Sequence, residues 1–323
     1  MAARREGDEA RRIFFMIFGV FMKCTRCKAT AAVSLPSHHA GFCPACFLDF
    51  FRNQVEKGIR KQQLFTHDDK ILVAISGGKD SLALMLELFQ LGYDVTGLHI
   101  DLAIPNSSET ARSVVERFCG KHGLPLIVKE MAAEGLAIPQ VKARIKRPIC
   151  SACGKIKRHY FNKAALEGGF SVMATGHNLD DEIARLFSNV LRWDAAYLAD
   201  QGPMLSETGG FARKVKPFWR LSEFETANYA FLQGIDYHHA PCPYSKGASF
   251  TMHKSVWADI EENMPGRKLD FYQGFLKNGR RHFAATEEKE GVTLSPCGVC
   301  GFPTSADICG VCRIKAAVAD NGE

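Results

Sequence analysis

Five pairs of cysteines at Cys-x-x-Cys spacing restrict the folds open to this chain more than any other feature of its sequence. The pairs are Cys24/Cys27, Cys43/Cys46, Cys150/Cys153, Cys297/Cys300 and Cys309/Cys312. The two remaining cysteines, Cys119 and Cys242, stand alone. A secreted disulfide scaffold would be much shorter than 323 residues, so the pairs indicate metal sites in a reducing compartment. The sequence therefore predicts a cytoplasmic, metal-binding protein.

The first two pairs and the last two pairs have the spacing of structural zinc sites. Fifteen residues separate Cys27 from Cys43, and eight separate Cys300 from Cys309. Four thiolates complete the tetrahedral shell of zinc and leave no open position for catalysis. We therefore expect a zinc-ribbon module at each end of the chain, with two Zn²⁺ ions in all. The predicted ligands are Cys24, Cys27, Cys43 and Cys46 in one module and Cys297, Cys300, Cys309 and Cys312 in the other.

Between these modules, apolar strand patterns alternate with helical patterns. The predicted strands are residues 71–75, 95–100, 125–128 and 172–175, and the predicted helices are residues 81–91, 108–120, 155–166 and 180–191. This alternation predicts an α/β fold with a Rossmann-like parallel sheet and helices on both faces. Ligands of such folds bind beyond the carboxyl ends of the strands. The loops after Ile75, Ile100 and Thr175 should therefore share one crevice.

The loop after the first of these strands has the composition of an anion-binding turn. Its sequence is Ser76-Gly77-Gly78-Lys79-Asp80-Ser81. Glycines let backbone N–H groups approach an anion, the helix N-terminus adds partial positive charge, and Lys79 adds a full one. The glycines are adjacent rather than spaced by four residues, which excludes the Walker-type P-loop. A tight strand-to-helix turn without a ligand is the alternative interpretation.

A second polar motif begins at the end of another predicted strand. Residues 174–182 have the sequence Ala-Thr-Gly-His-Asn-Leu-Asp-Asp-Glu. Acidic residues beside a bound polyphosphate require a cation between them, which predicts a divalent metal ion at this motif. A helix cap formed by Asn178 or Asp180 is the structural alternative, and it is compatible with a role in binding.

A third group consists of Cys150, Cys153 and Cys242, which cannot complete a four-cysteine site. A structural zinc ion would need a fourth ligand, for which His238 and His239 are candidates. Three thiolates at an open site instead suit an iron–sulfur cluster with one iron free to bind sulfide. A persulfide and disulfide pair formed by two of these cysteines is a further alternative.

These motifs together resemble one family of enzymes. SGGKDS (residues 76–81) resembles the PP-loop of the ATP pyrophosphatases, and residues 174–182 resemble the ATGHNxDD signature of PP-loop enzymes that thiolate tRNA. PICSACGKIKR (148–158) and APCPYS (240–245) resemble the cluster-binding segments of the TtuA-type tRNA 2-thiouridine synthetases. The resemblance extends from Met22 to about Cys312 and includes zinc modules at both ends. It departs from the family at Cys46, where histidine is often the ligand.

The resemblance implies a role for each residue of these motifs. Cys150, Cys153 and Cys242 would hold a [4Fe-4S] cluster, with Lys157 as a catalytic lysine in the same pocket. The site for ATP would include Ala74, Ser76, Gly77, Gly78, Lys79, Asp80, Ser81, Ile100, Gly176 and Asp181. Within that site, Asp80 and Asp181 would support Mg²⁺, and Asp181 would take part in catalysis.

The function that the resemblance implies is ATP-dependent 2-thiolation of tRNA. ATP would adenylate the C2 oxygen of a uridine, which makes a good leaving group, and sulfur held at the cluster would replace it. Alternatives are transfer from a cysteine persulfide and a small-metabolite ligase reaction on the same fold. Implied partners are tRNA, a sulfur-donor protein or free sulfide, and, by analogy alone, a second copy of the chain. Which nucleotide is thiolated remains open.

Charge is compatible with an RNA partner, since the formal net charge is +6. One basic group surrounds the Cys150 pair and consists of Lys142, Arg144, Lys146, Arg147, Lys155, Lys157 and Arg158. Two smaller groups are Arg52, Lys57, Arg60 and Lys61, and Lys277, Arg280 and Arg281. Each group either neutralises RNA phosphates or forms a solvated face.

Composition, together with the resemblance, predicts five regions along the chain. Residues 1–22 are expected to be a disordered extension, because the apolar run at 13–22 is short for a membrane span and lacks a signal-peptide cleavage site. The other regions are a zinc module with a linker helix (23–60), a PP-loop ATP-binding domain (61–235), a helical part with the third cluster cysteine (236–290) and a C-terminal zinc ribbon (291–323). No membrane partner is expected.

Overall fold

The computed structural model of the chain describes residues 22–205, 211–244, 249–284 and 294–320. The extension predicted for residues 1–22 lies outside these ranges except for Met22. Within the described ranges, no helix combines the length and apolarity that a membrane crossing requires.

The described residues form ten strands and twelve α-helices. The strands are β1 (Val33–Leu35), β2 (Ala40–Phe42), β3 (Lys70–Ala74), β4 (Asp94–Asp101), β5 (Leu126–Glu130), β6 (Val172–Thr175), β7 (Met204–Leu205), β8 (Arg213–Val215), β9 (Ser295–Pro296) and β10 (Pro303–Thr304). The helices are α1 (Pro44–Gln62), α2 (Lys79–Gln90), α3 (Ser107–His122), α4 (Ile138–Arg144), α5 (Ile149–Glu167), α6 (Leu179–Arg192), α7 (Ala195–Ala199), α8 (Glu223–Leu232), α9 (Ser249–Asn263), α10 (Arg267–Gly274), α11 (Arg280–Ala284) and α12 (Gly310–Ala319). The four predicted strands and four predicted helices of the central region are confirmed.

The central sheet has six strands in the order β5-β4-β3-β6-β8-β7. All neighbours run parallel except β7, which pairs antiparallel with β8. The chain winds outward from β3 in one direction through β4 and β5, and in the other through β6 and β8. Strand order therefore reverses between β3 and β6, and such a switch point opens a crevice at the carboxyl ends of both strands. The two short strands β8 and β7, which extend the sheet beyond β6, were not predicted from the sequence.

Each face of the sheet carries its own hydrophobic core. Strand β3 alternates between them, with Ile71 and Val73 in the first core and Leu72 in the second. Apolar residues of β1, β2 and α1 belong to the first core, whereas Cys297 and Cys309 belong to the second. The two terminal cysteine modules are therefore packed on the α/β domain, each against a different core.

Helix α1 joins the N-terminal module to the domain through aromatic packing. Phe51 is fully buried and stacks on Tyr229 of α8, with ring centroids 4.1 Å apart. The same ring meets Phe218 edge-on at 5.3 Å. Nearby, the indole N–H of Trp219 donates to the carbonyl oxygen of Gly58 at 3.3 Å. These contacts hold α1 against the helices that border the crevice.

A buried carboxylate fixes the same helix against α2. Glu87 accepts hydrogen bonds from the Tyr229 hydroxyl (2.7 Å) and from Arg52 Nε (3.3 Å). Burial raises the pKa of Glu87, and these two donors oppose the rise. Arg52, which the sequence offered as a candidate phosphate contact, is therefore engaged inside the fold.

We expect Phe51→Ala to lower the free energy of unfolding by about 3–5 kcal/mol, because it removes a buried ring and leaves a cavity. Phe89→Ala removes the same side chain from α2, where Phe89 is 44 % exposed, and should cost about 0.5 kcal/mol or less. Urea denaturation followed by circular dichroism measures both. Equal losses in the two variants would contradict the assigned role of Phe51.

Candidate active site and metal centres

The glycine-rich turn lies between β3 and α2, as predicted. Gly77 has a φ of +86°, a backbone conformation that residues with a side chain rarely adopt. A Cβ at this position would lie 3.1 Å from the carbonyl oxygen of Ala111. The Ser81 hydroxyl donates to the carbonyl oxygen of Gly78 (2.9 Å) and accepts from the Ser76 backbone N–H (3.1 Å). These bonds close the turn over the N-terminus of α2, where free backbone N–H groups favour an anion.

The second motif lies directly against this turn. A Cβ on Gly176 would come within 2.7 Å of the Asp80 carbonyl carbon and 2.8 Å of the Ser81 nitrogen, so only glycine allows this approach. The Asn178 side-chain amide donates to Asp80 Oδ1 at 3.3 Å. The carboxyl ends of β3 and β6 therefore share one crevice, as the sequence predicted.

Asn178 also caps α6. Its side-chain oxygen accepts from the Asp181 N–H (3.2 Å), and Asp181 Oδ2 accepts from the Asn178 N–H (3.1 Å). The structural interpretation of this motif is therefore confirmed for Asn178, although not for Asp180, which instead accepts from the Glu223 N–H at 2.7 Å. The cap uses only one Asp181 oxygen, and the other faces the crevice.

Two charged residues outside the motifs complete the crevice. Glu223, at the start of α8, accepts from Lys79 Nζ at 2.9 Å and from Lys254 Nζ of α9 at 3.2 Å. Lys79 also contacts Asp80 (2.9 Å), and Lys254 contacts Asp181 Oδ1 (2.6 Å). The five side chains form a continuous chain of alternating charge across both motifs.

The two lysines and Glu223 in this network are charged at neutral pH. Burial by itself would lower the pKa of Lys79 and of Lys254, but the neighbouring carboxylates outweigh it and raise the pKa of each. Burial would likewise raise the pKa of Glu223, but Lys254 and Lys79 outweigh it and lower that pKa to about 2. Any anion or cation that enters the crevice must therefore exchange with an existing ion pair.

Sequence reasoning missed Glu223, Lys254 and Thr226, whose hydroxyl donates to Asp80 Oδ1. The available signal was the capping box of Ser222 and Glu225, which marks the start of α8. That signal locates a helix terminus but does not show which turn it faces.

The third group of predicted residues meets at the start of α5. This helix begins at Ile149, six residues before the predicted start at Lys155, so Cys150 and Cys153 lie one turn apart on its first turns. Pro148 directly precedes the helix, where proline is tolerated. The cysteine spacing alone did not indicate this helix start. The Cys150 thiol lies 3.4 Å from the Tyr244 carbonyl oxygen, which brings the segment of Cys242 to the same place.

Electrostatics also connect these residues. Burial raises the pKa of Cys153. The nearby thiols of Cys242 and Cys150 raise this pKa further, whereas Lys157 opposes the rise. Cys150 and Cys242 are exposed. The segment before Cys242 is tied to the glycine-rich turn by the His238 N–H, which donates to the Gly77 carbonyl oxygen at 2.8 Å.

The zinc alternative with His238 or His239 gains no support from the described residues. Only two groups of described side chains bring three or more potential metal ligands within 4.8 Å of one another, and neither contains these histidines or Cys150, Cys153 and Cys242. The His239 ring instead packs on Tyr237, with centroids 4.1 Å apart.

Three predicted neighbours of the adenosine lie along the same edge of the sheet. Ala74 is the last residue of β3, Ile100 lies near the end of β4, and Gly176 follows β6. Ile100 is buried in the second core. Between them, the His99 ring nitrogen Nδ1 lies 2.9 Å from the Ile75 carbonyl oxygen.

The two groups of four cysteines are Cys24, Cys27, Cys43 and Cys46, and Cys297, Cys300, Cys309 and Cys312, as predicted. Thiolates bound to a tetrahedral zinc ion at about 2.3 Å would be about 3.8 Å apart. The Cys27 and Cys43 sulfurs are 3.6 Å apart, and those of Cys300 and Cys309 are 3.8 Å apart. Both groups therefore fit a tetrahedral metal ion.

Backbone amides lower the pKa of one thiol in each group, whereas burial raises the pKa of Cys46, Cys300 and Cys312. The Cys27 N–H contributes most to lowering the pKa of Cys24 to about 6, and the Cys309 N–H, 3.2 Å from the sulfur, does the same for Cys297. Thiolate is the form that binds metal.

Gly176→Ala should separate the two motif turns, because its methyl group overlaps the backbone of Asp80. We expect a destabilisation of about 1–3 kcal/mol from overpacking and a loss of ATP affinity. The matched control is Gly120→Ala in α3, where a Cβ meets nothing within 4 Å and should stabilise the helix by about 0.5–1 kcal/mol. Calorimetric titration and thermal unfolding test both, and unchanged ATP affinity in Gly176→Ala would refute the expectation.

Cys312→Ser should reduce the metal content by one ion per chain, because three thiolates remain at that site. Cys119→Ser is the control, since Cys119 is buried in the first core and belongs to neither metal group. Elemental analysis of purified protein measures both, and equal metal content would contradict the assignment.

Comparisons with known proteins agree with this geometry. A PP-loop domain profile matches residues 50–242, and the N-terminal LIM domain of the 2-thiouridine synthetase TtuA matches residues 23–48. The tRNA-5-methyluridine(54) 2-sulfurtransferase of Thermus thermophilus is 42 % identical over 298 residues, which cover 92 % of each chain. The protein of the same name from Pyrococcus horikoshii is 40 % identical over 90 % of this chain and 93 % of its own.

Among solved structures, the U34-tRNA thiolase NcsA from Methanococcus maripaludis with its [4Fe-4S] cluster superposes with a TM-score of 0.77. It is 24 % identical, and the match covers 92 % of this chain and 96 % of that one, which establishes a common fold. With the two profile matches and the close relatives, the chain belongs to the TtuA-type tRNA 2-thiouridine synthetases, the family of ATP-binding sulfurtransferases that its motifs predicted.

Proposed function

We propose that this protein thiolates C2 of 5-methyluridine 54 in tRNA, with ATP as the activating substrate. The relatives in Thermus and Pyrococcus carry this activity in their names. One observation carries the proposal. The Gly77 carbonyl oxygen of the ATP-binding turn accepts from His238, four residues before Cys242, so the phosphate-binding and sulfur-binding segments adjoin.

The first step activates the base. The uridine C2 oxygen attacks the α-phosphorus of ATP, the α–β anhydride bond breaks, and pyrophosphate leaves while N3 loses its proton. Backbone N–H groups of the turn at Ser76–Ser81 would bind the phosphates, and Lys79 would exchange Glu223 for a phosphate oxygen. Ala74, Ile100 and Gly176 would border the adenosine.

Magnesium would be held by Asp80 and Asp181, which supply the carboxylate oxygens that this ion prefers. The fit rests on Asp181 Oδ1, which faces the crevice and now contacts Lys254 at 2.6 Å. Binding of the ion would release Lys254, whose ammonium group then lies free beside the polyphosphate.

Sulfur replaces the activated oxygen in the second step. Hydrosulfide adds to C2, the C2–O bond breaks, AMP leaves with the former carbonyl oxygen, and the sulfur-bound proton moves to N3. Cys150, Cys153 and Cys242 would hold a [4Fe-4S] cluster, which supplies a free iron position for the hydrosulfide. Lys157 would offset the negative charge of the incoming sulfur, since it already opposes the rise in the Cys153 pKa.

The remaining assignments follow from the same chemistry. The two cysteine tetrads would bind structural zinc, and the thiolates that metal binding requires support a reducing cytoplasm as the location of the enzyme. Exposed Cys150 and Cys242 leave the cluster site open to free sulfide or to a sulfur-donor protein. The homodimer and the five region boundaries remain predictions.

An anaerobic assay with reconstituted enzyme, ATP, sulfide and tRNA tests the proposal. We expect 2-thiolated nucleoside only with ATP present, and mass spectrometry of nuclease fragments should locate it at position 54. Cys242→Ser, Lys157→Met and Asp181→Asn should each lower the rate about 10²-fold or more. Cys119→Ser should leave it unchanged.

The same assay separates the alternatives. Thiolation by iron-free protein at the full rate would favour a cysteine persulfide, and thiolation at position 34 would reassign the target. Absence of ATP-dependent sulfur incorporation into any tRNA would refute the proposed function.

A further inference from the structure

A cavity of about 480 Å³ lies between the C-terminal cysteine module and the α4–α5 region. Arg147, Lys155 and Arg313 contribute three positive charges to its lining, and none of the described residues that line it is acidic. Thr304 and Ser305 add hydroxyl groups. The cavity therefore offers hydrogen-bond donors and an uncompensated positive charge.

These cations have no acidic partner among the described residues. Arg313 donates only through Nε, to the Ile308 carbonyl oxygen at 3.0 Å, which leaves the rest of its guanidinium group available. Lys315, two residues further along α12, is instead neutralised by Glu134 at 2.6 Å. Similarly, Arg52 is paired with Glu87 and Arg280 donates to the Ala199 carbonyl oxygen. The lining cations thus differ from Lys315, Arg52 and Arg280, whose charged groups are paired or hydrogen-bonded within the fold.

The position of Lys155 depends on a glycine. Lys155 is half-buried and lies across Gly310 at the start of α12, where a Cβ would come within 2.8 Å of Lys155 Cδ and 3.0 Å of its Nζ. Any side chain at position 310 would push the lysine aside. Gly310 therefore provides the space in which the ammonium group of Lys155 lies beside the cavity.

Residues that line the cavity are close in sequence to the cysteines of the third group. Lys155 follows Cys153 by two residues on the same helix, and two further exposed cations, Arg144 and Lys146, precede Cys150 by six and four residues. A track of charges of this kind suits a polyanion better than a single small anion. Ile145, Ile314 and Ala317 supply an apolar wall, which suits a ribose.

We propose that this cavity binds a phosphate–ribose unit of the tRNA strand next to the nucleotide whose base enters the crevice. The inference rests on the proposed function, because that function supplies the RNA. Arg147, Lys155 and Arg313 neutralise the phosphate, and Thr304 and Ser305 hydrogen-bond to phosphate or to a 2′-hydroxyl group. Phosphate contacts of this kind fix the register of a strand, so the C-terminal module positions the target base relative to Cys150.

The test uses the metal-loaded full-length protein and an unmodified tRNA transcript. Binding is measured across a series of KCl concentrations for wild type and for Arg147→Ala/Lys155→Ala/Arg313→Ala. Loss of the neutralised phosphate should reduce the slope of log affinity against log salt by about 0.7 and weaken binding about tenfold or more. The control is Lys70→Ala, because Lys70 is exposed at the start of β3, on the edge of the sheet opposite the crevice. It should retain the wild-type slope.

Single variants keep the inference testable if the triple variant fails to fold. Lys155→Met and Gly310→Ala should each weaken tRNA binding and reduce the salt slope by less than the triple variant does, while metal content and ATP affinity stay at wild-type values. Wild-type tRNA affinity and slope in these variants would overturn the inference. Selective loss of ATP affinity, or of thiolation with a protein sulfur donor but not with sulfide, would also overturn it by assigning the cavity to another ligand.

The outcomes separate this inference from the proposed function. If wild type thiolates tRNA and the variants bind it normally, the inference alone fails. If wild type binds tRNA without thiolating it while the variants lose affinity and slope, the cavity is supported and the proposed function fails.

Discussion

The backbone of Gly176 lies so close to the backbone of Asp80 and Ser81 that no side chain fits between them. This contact joins the turn after β3 to the turn after β6, at the point where the strand order of the sheet reverses. The N-termini of α2 and α6 converge there, and their free N–H groups make the crevice attractive to a polyphosphate. Both nucleotide-binding motifs are positioned by this contact, because they project from these two turns.

The ion pairs around the crevice follow from the same convergence. Lys79 pairs with Asp80, but among the described residues the cationic partner of Asp181 is Lys254, and a partly buried carboxylate without such a partner is costly. Glu223 and Lys254 complete the alternation of charge. Nucleotide and magnesium are therefore expected to replace existing contacts rather than to enter an empty site, and two residues outside the motifs share control of both ligands.

The two cysteine modules serve the site from opposite faces of the sheet. The N-terminal module is held by α1 and its aromatic contacts with α8, whose first turn carries Glu223. The C-terminal module packs in the second core near α5, whose first turns carry Cys150 and Cys153. One module thus supports the side of the crevice that carries the charged network, and the other supports the side that carries Cys150 and Cys153.

Sequence alone determined the chemistry that local spacing encodes. A metal tetrad needs two Cys-x-x-Cys turns, and an anion-binding turn needs glycines between a buried strand and a helix, so both were readable from neighbouring residues. The start of α5 was placed six residues late because helix termini depend on weak local preferences. Tertiary structure alone decided that Glu223, Thr226 and Lys254 reach the two motifs and that Arg147, Lys155 and Arg313 line one cavity. Those groups come from distant parts of the chain, and only the packing of helices against the sheet brings their side chains within reach of one another.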